Sequence, residues 1–200
     1  MVSTLRLEFF LFFIFLPSVM FFINSTKIVF MVLYTLSFIT FYILRRDKEF
    51  KYSVLKKKID WKFILVFFFL SLFAGYFYVS IITPELLFDF PKNNFSVWLL
   101  VMLGYPFLSV VPQEFIYRVF FFHRYKNWFN SNISILTVTN LFVFSYAHIV
   151  FSNYHAIFIT ALISPIFSYA YIKKSFFTCV IIHSIGGQII FTLGLGKFFY

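Results

Sequence analysis

Charge is what this sequence most conspicuously lacks. Charged residues fill 12% of its 200 positions and apolar ones 62%, whereas a soluble domain is usually about 45–50% apolar and about 25% charged. That balance excludes a soluble fold. A single cysteine, Cys179, excludes an intrachain disulfide and a cysteine-type zinc cluster. There is no HExxH helix, no internal repeat and no low-complexity segment, and the runs lack the alternating pattern of a membrane barrel. No small-residue cleavage pattern follows the apolar run from Glu8 to Ile23, so it is expected to be an uncleaved first helix rather than a signal peptide. The net charge of +10 does not point to nucleic acid, because the basic residues fall between apolar runs instead of on one face of a soluble fold.

What is present is length of apolar run. Stretches able to span a bilayer, about 17–25 residues each, fall near 8–24, 27–45, 62–83, 97–122, 133–150, 155–172 and 175–194. Lipid cannot satisfy backbone polar groups, so these must be helices. The expected fold is an all-α polytopic membrane protein, a helical bundle of about seven transmembrane helices. We divide it into amino-terminal membrane helices (1–96), with a basic loop at 45–62, and a core at 97–200 that holds most of the intramembrane polar residues. Short loops rich in Lys and Arg stay in the cytoplasm. The loop holding Arg45, Arg46, Lys48, Lys51, Lys56, Lys57, Lys58 and Lys62 is therefore expected inside, and alternation puts Arg6, Arg124, Lys126, Lys173 and Lys174 on the same side. The amino terminus is then cytoplasmic. Only Lys27, Lys92 and Lys197 fall outside, and Arg118 is left within the membrane.

Arg118 belongs to Pro112–His123, PQEFIYRVFFFH, which sets Gln113, Glu114 and Arg118 inside a span. A charge at the bilayer centre costs about 2.5–3.5 kcal/mol, so such residues pair, face a cavity or do chemistry. Glu114 and Arg118 are one helical turn apart and spaced to pair. Asn140, Phe144 and His148 share a face of the fifth span. In an antiparallel hairpin turning at Asn130–Asn132, Glu114 and His148 are level. His183 lies nine residues past Lys174, about 13 Å deep at about 1.5 Å per residue. Carboxylate and imidazoles can thus converge from three helices. They can polarise a water for attack on a peptide carbonyl, or form a three-ligand zinc set of Glu114, His148 and His183 with water in the fourth position. A nucleophile pair of Cys179 with His183 is the weaker alternative, since a small apolar cysteine in a packed span is usually structural. His123 and His155 sit at span ends, where solvation accounts for them.

These residues resemble the CPBP family of intramembrane proteases, which includes the CAAX endopeptidases and Abi-type proteins. Gln113, Glu114 and Arg118 are similar to its EExxxR motif, Phe144 and His148 to FxxxH, and His183 to HxxxN, with Gly187 in the Asn position. The resemblance covers about 97–194. It implies a helical membrane endopeptidase that cleaves a membrane-embedded or hydrophobic peptide within the lipid bilayer and requires no cofactor, zinc remaining the alternative. It also implies that the first Glu is the water-activating base, assisted by the FxxxH histidine, and that the Asn helps the last histidine hold the oxyanion. Here the first position is Gln113, which accepts no proton, and the last is Gly187. Either Glu114 takes over as base with His148, and His183, helped by Gln188 or Asn140, holds the oxyanion, or the scaffold persists as an inactive peptide-binding, immunity or assembly factor. A bacterial inner membrane is the expected location.

Overall fold

The computed structural model describes residues 2–199, and among these every regular element is helical. Among the described residues seven helices are long and apolar enough to cross a membrane: α1 (Ser3–Ile23), α2 (Thr26–Arg46), α3 (Trp61–Ile82), α4 (Phe95–Arg124), α5 (Ile133–Phe151), α6 (Tyr154–Lys174) and α7 (Phe176–Leu193). Each coincides with an apolar run in the sequence, because span length is imposed by the hydrocarbon thickness. The chain is an integral membrane protein.

The longest helix, α4, has 30 residues, about 45 Å at about 1.5 Å per residue against about 30 Å of hydrocarbon. It is not uniform. Wide, π-type turns occupy Pro106–Val110 and Phe115–Phe120, on either side of Gln113 and Glu114; single wide turns of this kind often mark functional sites. The prolines in α4 leave carbonyls one turn back without their helical donor, and other helices supply it. Pro106 has no N–H for the Met102 carbonyl, which instead accepts from Gln188 Nε2 on α7 at 2.8 Å. Pro112 has none for the Leu108 carbonyl, which accepts from the Tyr34 hydroxyl on α2 at 2.8 Å. The irregularities of α4 therefore fix its distance to both neighbours.

Helix α7 is the most enclosed span and packs chiefly on α3 and α4. Gly194 ends it at φ +107°, where a side chain would collide with the Leu86 carbonyl. The Phe88 amide donates to the Leu193 carbonyl at 3.3 Å, tying the 83–94 connection to the same helix end. At the opposite end of the bundle Asp60 caps α3 by accepting from the Phe63 amide at 2.9 Å, and its other oxygen meets Lys174 Nζ at 2.9 Å. The Asp60 amide donates to Thr178 Oγ1, also at 2.9 Å, which fastens α3 to the first turn of α7.

A pH dependence follows from this clasp. The hydrogen bond from Lys174, reinforced by the Phe63 amide and outweighing burial, holds the Asp60 carboxyl below its ordinary value of 3.8. A carboxylate with a depressed folded pKa contributes stability that is complete above the ordinary value and lost as pH falls through the depressed one. The thermal midpoint in detergent should thus decline as the solution is acidified below about pH 4. Asp60→Asn should lower the neutral-pH midpoint and flatten that decline; an identical pH profile in the variant refutes the assignment.

The abundant Phe residues divide between lipid and the protein interior. Phe22, Phe38 and Phe107 are exposed, but Phe13, Phe120, Phe121 and Phe144 are buried. Phe13 packs edge-on against Tyr117, Phe121 and Tyr125, with centroids 5.5–5.9 Å apart. This aromatic seam joins α1 to the cytoplasm-predicted end of α4. It is closed by a bidentate pair, Arg124 Nε and Nη2 donating to the two Glu8 oxygens at 2.9 Å each, with the Tyr125 hydroxyl donating to Glu8 at 3.1 Å.

Candidate active site

Glu114 and Arg118 are both fully buried, one turn apart on α4. Arg118 Nε lies 3.5 Å from Glu114 Oε2, an ion-pair distance without a hydrogen bond. Arg118 is held instead by Nη1 donating to Asn140 Oδ1 at 2.9 Å, and by stacking with its guanidinium carbon 4.7 Å from the Phe144 centroid. Asn140 is held at both ends: its Nδ2 donates to the Tyr117 carbonyl at 2.5 Å, and its Oδ1 also accepts from Ser168 at 3.1 Å.

Both carboxylate oxygens of Glu114 are also engaged. Oε1 meets His183 Nδ1 at 2.7 Å and Oε2 accepts from Cys179 Sγ at 2.8 Å. Cys179 donates further to the Phe167 carbonyl at 3.1 Å and has no exposed surface. It fixes Glu114 and is not placed as a nucleophile. His148 Nδ1 is bonded to its own helix, at 2.8 Å from the Phe144 carbonyl. Phe144 presents its edge to both imidazoles, 4.9 Å from His148 and 5.8 Å from His183 by centroid, and His183 stacks on Phe167 at 4.6 Å. Each histidine has thus committed Nδ1, and among the described residues Nε2 of neither has a protein partner.

These rings border a cavity of about 680 Å³ that reaches from the 24–26 turn and the 89–94 segment down to Gln113, His148, His183 and Gly187. Its mouth is at the end of the bundle opposite the basic 45–62 loop. Gln113 is on the wall and donates from Nε2 to Ser109 Oγ at 2.7 Å. Glu114, Arg118 and Asn140 lie behind the wall and do not line the cavity.

Residues 95–186 match the family model of Rce1-like type II CAAX prenyl endopeptidases. This stretch is similar to the CPBP family of CAAX proteases. Comparisons with curated proteins and with solved structures return no match. The CPBP match runs through all three motif helices and ends one residue before Gly187. At family level the activity is that of a CAAX-type intramembrane protease, which implies a peptide substrate within a membrane.

Within this matched stretch the sequence placed Glu114, His148 and His183 at one depth, and the structure brings Glu114 and His183 into contact. It pairs Glu114 with His183 rather than with His148, because His148 gives its Nδ1 to the Phe144 carbonyl. Neither residue suggested as oxyanion helper is free for it. Asn140 holds Arg118, and Gln188 serves the carbonyl orphaned by Pro106. The zinc set does not fit either: among the described residues no three of His, Cys, Asp and Glu are grouped to share an ion, and Glu114 is hydrogen-bonded directly to the imidazole that would be its fellow ligand. His123 and His155 have partners beyond solvent, Asp47 Oδ2 at 2.9 Å and the Tyr78 hydroxyl at 2.6 Å. Sequence reasoning passed over Tyr105 and Ser109 on the cavity wall. Their spacing from Gln113, two turns and one turn back along α4, was the available signal.

Proposed function

We propose that the chain is an intramembrane endopeptidase of CPBP type that hydrolyses a membrane-embedded or hydrophobic peptide in this cavity. It works in a bacterial inner membrane with the basic 45–62 loop cytoplasmic; residues 97–200 form the catalytic unit and 1–96 its support. The observation that carries the reading is the 2.7 Å pair of Glu114 Oε1 and His183 Nδ1 behind a cavity wall that His183 itself forms.

The chemistry follows from which nitrogens are committed. A carboxylate accepting from Nδ1–H fixes the proton there and leaves the Nε2 lone pair as the basic site. His148 is set in the same tautomer by the Phe144 carbonyl. A water between the two Nε2 atoms is oriented by both and loses its proton to His183 as it attacks the peptide carbonyl. The imidazolium is stabilised by Glu114, then protonates the departing amine. Gln113 is the polar wall beside the substrate and takes no proton. In this division of labour Glu114 holds and charges the base instead of being the base.

The test is cleavage of a library of membrane-anchored peptides by purified protein in liposomes. His148→Ala should lower kcat/KM by about 10²-fold, the usual size of one acid–base contribution, and a chelator should leave the rate unchanged. A wild-type protein that cleaves nothing while retaining peptide binding would favour the inactive scaffold.

A further inference from the structure

Tyr105, Ser109 and Gln113 follow one another at four-residue steps on α4 and all border the cavity. On α7, opposite, His183, Gly187 and Phe191 do the same. The Tyr105 ring lies between the outer two of these, edge-on to His183 at 6.2 Å and 76° and to Phe191 at 5.5 Å and 72°. The middle position has no side chain, and the phenol fills the notch. A Cβ at 187 would collide with Cε1, Cζ and Oη of Tyr105. Gly187 and Tyr105 are therefore two halves of one feature: the hydroxyl end of residue 105 occupies the volume that a side chain at 187 would take.

That hydroxyl is uncommitted. No described residue bonds it, and it is not among the polar atoms sealed inside the protein. The other polar side chains near His183 already carry hydrogen bonds. Both imidazole Nδ1 atoms are engaged by Glu114 and the Phe144 carbonyl, and the Gln113 amide is engaged by Ser109. A phenol, with an ordinary pKa near 10, stays protonated at neutral pH and can donate without giving up its proton.

We infer that Tyr105 Oη–H is the donor that stabilises the oxyanion formed when water attacks the substrate carbonyl, an inference that rests on the hydrolytic reading of the site. In the first step the water oxygen bonds to the carbonyl carbon, the carbonyl electron pair moves onto its oxygen, and the water proton passes to His183 Nε2. The oxyanion accepts a hydrogen bond from Tyr105. In the second the pair returns, the C–N bond breaks, and the imidazolium gives its proton to the amine. Tyr105 keeps its own proton throughout, so the steps balance with water as the sole co-reactant.

The experiment uses the full chain in liposomes with the same membrane-anchored peptide library. Tyr105→Phe retains the ring in the notch, so the thermal midpoint is unchanged. Its kcat should fall by about 10²–10³-fold, the usual loss for one oxyanion donor, with KM held within about twofold. Gly187→Asn alone should lower the thermal midpoint through collision with the ring. Tyr105→Ala combined with Gly187→Asn should restore that midpoint and recover part of the kcat that Tyr105→Ala loses, since an amide then reaches the same volume. If wild type cleaves and Tyr105→Phe cleaves equally fast, the donor role is overturned while the protease reading stands. If wild type cleaves no peptide, the hydrolytic reading falls and takes this inference with it. If Tyr105→Ala fails to relieve Gly187→Asn, the shared volume is disproved whatever the activity.

Discussion

Arg118→Leu should lower the unfolding free energy by about 3–5 kcal/mol, the usual result of removing one partner from a buried ion pair. The size follows from enclosure. Arg118 and Glu114 have no exposed surface, so the carboxylate left behind has no solvent to turn to. Three other side chains lose a partner in the same change, Asn140 at its carbonyl oxygen and Phe144 and Phe167 at the faces over which the guanidinium lies. Unfolding in mixed micelles, followed by tryptophan fluorescence, measures the loss. Adding Glu114→Gln to Arg118→Leu should recover part of it, because the second change removes the charge that the first stranded. Strict additivity of the two changes would show that the pair is not coupled.

Glu114→Gln should lower kcat by about 10⁴-fold, the scale on which a base loses activity when its orienting carboxylate becomes an amide and the wrong tautomer is favoured. KM should change little, since Glu114 lies behind the cavity wall and has no surface to offer a peptide. Steady-state cleavage in liposomes, normalised to folded protein, separates the two parameters. A raised KM at constant kcat would place Glu114 in contact with substrate and contradict its role as the partner of His183. Loss of both activity and fold is distinguished by the thermal midpoint, which Gln should preserve better than Ala because its carbonyl can still accept from Cys179.

The spans and the depth of the polar residues were legible because hydrocarbon thickness and the 1.5 Å rise are constants that a count can use. Glu114 and Arg118 were readable as neighbours for the same reason, being one turn apart. The partner of Glu114 was not. A helix that is apolar all round carries no stripe to say which way it is turned, and a rotation of α7 decides whether His183 or its neighbours meet α4. The prolines hid a second layer. The carbonyls that Pro106 and Pro112 orphan engage Gln188 and Tyr34, partners on other helices that no spacing along α4 reveals. Gly187 looked like a lost motif residue. Only the three-dimensional fit shows a tyrosine from another helix in the vacated space.

The sequence separations in this polar network also bear on the order in which the protein is made. Arg118 is four residues from Glu114, so the two charges enter the membrane on one helix and can offset each other before any later span exists. Cys179 and His183 stand 65 and 69 residues further along, which at about 5–20 residues per second is roughly 3–14 s of synthesis. Until they arrive, Glu114 has only Arg118 for company. Glu8 waits longer still, 116 residues, for Arg124. The local pair thus makes α4 insertable, and the distant partners then fix the site when the last helix arrives, so a ribosome stalled before α7 would leave a membrane-inserted but catalytically unassembled chain.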